Sequence, residues 1–181
     1  MGNWFDGNGK KGKVSLEQQM TGLYRCEDFV YGSSVFDFGC AEGQIGEIML
    51  AWGAALVDGI DNRADAVRHA NSIGLNAIVA DAERWMPLRN YDVCLMLGIL
   101  HKLKDPAAAM RRVMGCCTQH CVIRLPGGQW PILVDSRSGS VPIDLGSSAK
   151  VAGFELFAEE AGPHGQWVGY FQRIGGRSVA E

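Results

Sequence analysis

Three aspartates and a glycine-bearing turn are the residues whose types and spacing could do chemistry. Asp37 sits in the apolar run Val35–Phe38, which leads directly into Gly39-Cys40-Ala41-Glu42-Gly43. Gly39 and Gly43 let a backbone pass close to a ligand where a side chain would clash. The helix that follows points its N-terminal N–H groups at the same place. Asp61 lies 22 residues beyond Gly39, at the end of a second apolar run. An acid there can accept both hydroxyls of a ribose; the plain alternative is an exposed acid capping a helix. Asp81 and Ala82 follow a third run, twenty residues further on. A carboxylate there can accept from an adenine amino group beside an apolar slot, and its plain alternative is a surface acid after a strand. Each feature alone is weak evidence, and the three together are far more specific.

Other reactive residues carry less. His101 is the best candidate general base, against the alternative of a loop histidine that packs or hydrogen-bonds structurally. Trp130, in Pro126-Gly127-Gly128-Gln129-Trp130-Pro131, can stack on a flat substrate or fold back on the core. Cys40, Cys94 and Cys121 lie in or beside apolar runs and read as small buried hydrophobes, so Cys94 is assigned to the core. Cys116, Cys117, His120 and Cys121 could be read as metal ligands, but they lack paired C-x-x-C knuckles and crowd one turn, so no metal is expected.

The elements that must position these residues alternate. Ser15 and Gln18 form a capping-box pattern ahead of Leu16, Met20 and Leu23 at helical spacing. Strands are predicted at Val35–Phe38, Ala55–Ile60, Asn76–Ala80, Tyr91–Leu97 and His120–Leu125. The helix after Gly43 carries Ile45, Ile48, Met49 and Trp52 and closes at Gly53. The next is capped by Asn62, turns Ala66, Val67 and Ala70 inward and ends at Gly74. Asp105-Pro106 opens a third, with Met110, Val113 and Met114 inward. Phe154–Ala158 and Gln166–Ile174 have no room for a helix between them and should pair as an antiparallel hairpin. Residues 126–148 read as a long Gly, Pro and Ser-rich loop. The expected fold is α/β: a doubly wound, mainly parallel seven-stranded sheet ending in that hairpin, in three α/β/α layers.

A chain of 181 residues suits one domain and can bury a sizeable core. The expected division is a tail and helix over 1–32 that could close over the site, a ligand-binding domain over 33–175, and a tail over 176–181. With 47% hydrophobic and 20% charged residues and a net charge of −3, the composition gives no general attraction to nucleic acid or anionic lipid. Lys10, Lys11 and Lys13 leave room for a local basic patch. No stretch has the ~18 consecutive apolar residues of a membrane span, and no apolar signal core follows Met1. Asp6 stands where a myristoylation pattern wants Ser or Thr. The expected location is cytoplasmic.

Val35-Phe36-Asp37-Phe38-Gly39-Cys40-Ala41-Glu42-Gly43 resembles the first motif of the class I S-adenosylmethionine-dependent methyltransferases. Gly59-Ile60-Asp61 resembles the second motif and Val79-Ala80-Asp81-Ala82 the third. Tyr91-Asp92-Val93-Cys94-Leu95-Met96-Leu97 resembles the fourth, with Gly98-Ile99-Leu100-His101-Lys102-Leu103 and Asp105-Pro106 also typical. The final hairpin is similar to that family's sixth and seventh strands, so the resemblance spans about residues 33–174. It implies that Gly39, Ala41 and Gly43 wrap the methionine part of S-adenosylmethionine, with Asp37 and Cys40 also among the cofactor-binding residues. Asp61 would hold the ribose, Asn62 would join it in binding the cofactor, Asp81 and Ala82 would meet the adenine, and Leu97 would offer backbone contact near the amino-acid end. Ala41 departs from the family's usual glycine and is tolerated if its backbone angle is negative.

The resemblance leaves the methyl acceptor open among small molecule, protein and RNA. Leu97-Gly98-Ile99-Leu100 lacks the Asn/Asp-Pro-Pro-aromatic run that goes with methylation of exocyclic base amines. The Lys-Asp-Lys-Glu tetrad of RNA 2′-O-methyltransferases is not evident: Arg124 and Glu155 fall near two of its positions, but no acid ends the fourth strand. Two alternatives stand beside the enzyme. One is a catalytically silent domain that binds the cofactor as sensor or subunit. The other is an NAD-dependent oxidoreductase, against which Gly39-x-Ala41-x-x-Gln44 fails to match G-x-G-x-x-G. With no lid insertion in so short a chain, a partner subunit or a second copy could close the site.

Overall fold

The computed structural model describes residues 2–5, 11–127, 130–134 and 142–175. Lys10, Gly128, Gln129 and the tail 176–181 lie outside them. β1 (Gly2–Phe5) pairs antiparallel with β2 (Lys11–Val14), so the stretch expected as an irregular tail forms a small ribbon. α1 (Leu16–Met20) carries the expected capping box: Gln18 N–H donates to Ser15 Oγ at 3.1 Å and Ser15 N–H to Gln18 Oε1 at 3.0 Å. After a 3-10 turn over Tyr24–Cys26 comes α2 (Glu27–Val30). The segment expected as a lid puts Met20, Leu23, Cys26 and Val30 into the core, each at most 3% exposed. From Met20 onward it is therefore part of the folded body.

The alternating part runs β3 (Ser34–Phe38), α3 (Gln44–Ala51), β4 (Leu56–Asp61), α4 (Ala64–Ser72), β5 (Asn76–Val79), β6 (Tyr91–Leu97), α5 (Pro106–Gly115) and β7 (Cys117–Leu125). Two caps separate expectation from outcome. Asp105 caps α5 as predicted, accepting Ala108 N–H at 2.8 Å. Asn62 does not cap α4: Arg63 holds that position with no side-chain cap, and Asp61 accepts the Arg63 N–H instead. The loop expected over 126–148 is also corrected. It holds β8 (Ile132–Val134) paired with β9 (Pro142–Asp144), and then α6 (Leu145–Val151), whose cap is Asp144 accepting Ser147 N–H at 2.9 Å. Small residues hid this helix, because Gly146, Ser147 and Ser148 read as loop formers although Leu145 and Ala149 are buried.

β10 (Phe154–Ala161) and β11 (Trp167–Arg173) form the expected antiparallel hairpin, and β11 joins β7. The main sheet has seven strands in the order β10-β11-β7-β6-β3-β4-β5, parallel from β3 to β7. β6 shows why: Val93 to Met96 are all fully buried, as a strand covered on both faces must be. Cys94 and Met96 face one core with Phe36, Met110, Val113 and Leu145, while Val93 and Leu95 face another with Leu23, Val30, Met49 and Val67. These two cores make the three-layer α/β/α arrangement. Among the described residues no helix is long and apolar enough to cross a membrane.

Candidate active-site cleft

β3 pairs with both β4 and β6, so strand order reverses at β3, and ligands in such sheets bind beyond the carboxyl ends at that point. A cleft of about 480 Å³ opens there, lined by the ends of β3 to β7. That size lies within the usual range for small-ligand pockets.

The turn after β3 forms the floor. Gly39 has φ +89°, and a Cβ there would sit 2.5 Å from Ile99 Cδ1. Gly39 and Cys40 N–H both donate to the Ile60 carbonyl at 2.9 Å, which locks the turn onto β4. Ala41 has φ +49°, not the negative angle expected. An alanine in that region costs about 1 kcal/mol, and its N–H donates to Asp61 Oδ2 at 3.0 Å, which helps to hold it. Gly43 is also left-handed, at φ +83°, but it does not line the cleft. A Cβ on it would lie 2.8–2.9 Å from Cβ and Cα of Ala70. The packing of α3 on α4 therefore requires a residue without a side chain at this position.

Asp61 closes β4 with its side chain 14% exposed. Besides Ala41, its carboxylate accepts Arg63 N–H at 2.9 Å and lies 3.5 Å from Arg63 Nε. Each carboxylate oxygen has more than one lone-pair direction, so the group can hold the turn and still accept from a ligand hydroxyl. Asn62 lines the cleft beside it. Asp81 and Ala82 line the far end; Asp81 accepts Glu83 N–H at 2.9 Å, and its contact with Arg84 at 3.9 Å is an exposed pair of little weight. Leu97 lines the cleft at the end of β6.

Charge is unevenly spread. Asp37 is 3% exposed, and burial, with the Asp61 charge adding, pushes its carboxyl up to about 7 while Arg124 opposes the shift. Cys40 is pushed up by burial, then by Asp37 and Asp61, so its thiol stays neutral. Arg124, which reasoning from sequence considered only for another motif, is 7% exposed and lines the cleft from the end of β7. Burial lowers it to about 10, so it remains a cation at neutral pH. The signal was a lone arginine inside the apolar run Val122–Leu125. Gln19 and Gln166 also line the cleft and had no sequence signal, since both arrive from outside the strand–turn repeat. Gln19 Nε2 donates to Gln44 Oε1 at 3.0 Å and so ties α1 to α3 over the turn.

The remaining candidates stand apart. His101 is half-buried in the 3-10 turn Leu100–Lys102 and does not line the cleft, although Lys102 does. Trp130 stacks on Trp167 with ring centroids 4.8 Å apart and 2° between planes, and meets Phe171 edge-on, so one face is already occupied. Cys116, Cys117 and Cys121 are buried in the core. Cys117 Sγ donates to the His120 carbonyl at 2.9 Å, and the His120 ring stacks on Phe29.

A family model described as a methyltransferase domain matches residues 36–123. No curated protein matches the chain significantly. Among solved structures, magnesium protoporphyrin IX methyltransferase from Synechocystis PCC 6803, with bound SAH, aligns over 91% of this chain and 90% of its own at 14% identity, TM-score 0.68. A TehB-like SAM-dependent methyltransferase from Corynebacterium glutamicum aligns over 90% and 89% at 18% identity, TM-score 0.67. An S-adenosylmethionine-dependent methyltransferase from Mesorhizobium loti aligns over 80% and 92% at 16% identity, TM-score 0.64. The stretch that matches the methyltransferase-domain model covers the glycine turn and the strand-end acids, and these solved methyltransferases share the fold of this chain.

Proposed function

We propose that the cleft binds S-adenosylmethionine and that the chain transfers its methyl group to an acceptor entering beside β6 and β7. The observation that carries this reading is Asp61: one carboxylate both fixes the glycine turn, through Ala41, and faces the cleft. In this reading Asp37, Gly39, Cys40 and Ala41 surround the methionine part, Asp61 and Asn62 the ribose, and Asp81 and Ala82 the adenine. Leu97 borders the amino-acid end, and Gly43 acts only by seating α3.

The bound cofactor supplies an already activated methyl group, so the chain's own task is alignment and exclusion of water. No histidine lines the cleft among the described residues. The reading accordingly gives no proton transfer to His101 and no stacking role to Trp130.

Titration calorimetry with S-adenosylhomocysteine and with NAD tests the reading. Wild type should bind the first and not the second. Asp61→Ala should bind S-adenosylhomocysteine roughly 10–100-fold more weakly, since a hydrogen bond to a charged group is worth about 1.5–3 kcal/mol. Preference for NAD, or unchanged affinity in Asp61→Ala, would overturn it.

A further inference from the structure

The side of the cleft away from Asp61 and Asp81 contains a buried cation that no carboxylate among the described residues meets in an ion pair. Arg124 Nη2 donates to the backbone carbonyls of Gln19 at 2.6 Å and Thr21 at 3.5 Å. Its Nε–H is buried with no acceptor, and among the described residues no carboxylate forms an ion pair with it. A desolvated guanidinium satisfied only by carbonyl oxygens is costly, and its planar fork matches a carboxylate best.

Sheet geometry says which ligand can reach it. Arg124 ends β7, level with Leu97 of β6, and β6 lies between β7 and β3. At about 4.8 Å per strand, Arg124 stands roughly 10 Å from β3, 14 Å from β4 and 19 Å from β5. The acids assigned to the adenosine close β4 and β5. The cleft next to Arg124 is bordered by Leu97, Gln19 and Gln166, an apolar side chain and two neutral amides. The nearest acid in charge terms is Asp37, and it is held in part as the neutral acid near neutrality, so it compensates Arg124 incompletely.

We propose that Arg124 defines an acceptor subsite for a carboxylate, so that the methyl acceptor is an organic acid anchored by this guanidinium. This rests on the cofactor reading above, which assigns the β3–β5 side to adenosine. A purely structural arginine, holding the end of α1 through two carbonyls, would have no preference among ligand charges.

The test uses the full chain saturated with S-adenosylhomocysteine and three probes of one shape: benzoate, benzamide and benzylamine, followed by NMR titration. Benzoate should bind at least tenfold more tightly than benzamide, and benzylamine should not bind. Arg124→Gln should lose benzoate by at least tenfold, a clearly larger loss than any in its affinity for S-adenosylhomocysteine. If Arg124→Gln does not fold, Arg124→Lys keeps the charge without the fork and should weaken benzoate at least threefold. Equal binding of benzamide and benzoate, or benzoate binding unchanged in the variant, overturns the subsite. A parallel loss of S-adenosylhomocysteine affinity also overturns it, because the arginine then serves the cofactor's own carboxylate. If wild type does not bind S-adenosylhomocysteine at all, the cofactor reading fails and this one fails with it.

Discussion

Asp37 is buried at the base of the cleft with its carboxyl raised to about 7, chiefly by burial and then by the Asp61 charge. A carboxyl raised on folding binds more protons in the native state than in the unfolded chain. The stability this gives is fully present below about pH 4, the ordinary carboxyl range, and is lost as pH rises through about 7. The loss is on the order of 4 kcal/mol, at about 1.4 kcal/mol per unit. Urea unfolding of the unliganded chain should therefore weaken between pH 5 and pH 8 more in wild type than in Asp37→Asn, which cannot ionise. Parallel pH profiles for the two proteins would show that Asp37 is not the titrating group. Ala41 is a residue-scale feature of another kind. Its left-handed backbone is retained where glycine would be free of strain, with its N–H tied to Asp61.

At the scale of elements, the α3–α4 contact is set by a glycine. A methyl group on Gly43 would fall within 2.8–2.9 Å of Ala70, including its backbone Cα, and Gly43 also holds φ +83°. Backbone cannot yield as a flexible side-chain end can. Gly43→Ala should cost about 2–4 kcal/mol, combining overpacking with left-handed strain. Chemical denaturation reads the loss directly, and a change below 1 kcal/mol would mean that α4 shifts aside freely. The edges of the sheet differ in a related way. β10 carries Glu155, Glu159 and Glu160, which discourage edge pairing, whereas β5 presents Ile78 and Val79 about half exposed and without charge.

Across the whole molecule, the segment before β3 is secured by the far end of the sheet. Tyr170 of β11 is fully buried, and its hydroxyl donates to the Gly22 carbonyl at 2.6 Å across 148 residues of sequence. Arg124 of β7 holds the carbonyls of Gln19 and Thr21 beside it. These contacts seat α1 over the glycine turn, where Gln19 reaches Gln44. Tyr170→Phe should cost about 1–2 kcal/mol, because a buried carbonyl loses its donor. A thermal melt of the variant checks this, and an unchanged midpoint would show that the hydroxyl does not secure the segment.

The sequence by itself determined the alternation of strands and helices, the final hairpin and the acids at the strand ends. Those signals are local: an apolar run of strand length, a cap such as Asp105-Pro106, and a glycine turn that must follow β3 whatever surrounds it. α6 and the β8–β9 pair were not legible, because small polar residues and short strands carry no periodicity until α6 packs Leu145 and Ala149 into the core. Tertiary structure alone decided that Gly43 serves packing, that Trp130 stacks on Trp167, and that His101 stays off the cleft wall. It also decided that Gln19, Arg124 and Gln166 converge on one cavity. The physical reason is distance along the chain: strand order brings residues about 150 positions apart to a single edge of the sheet, and nothing in the spacing of Gln19 and Gln166 records that they meet.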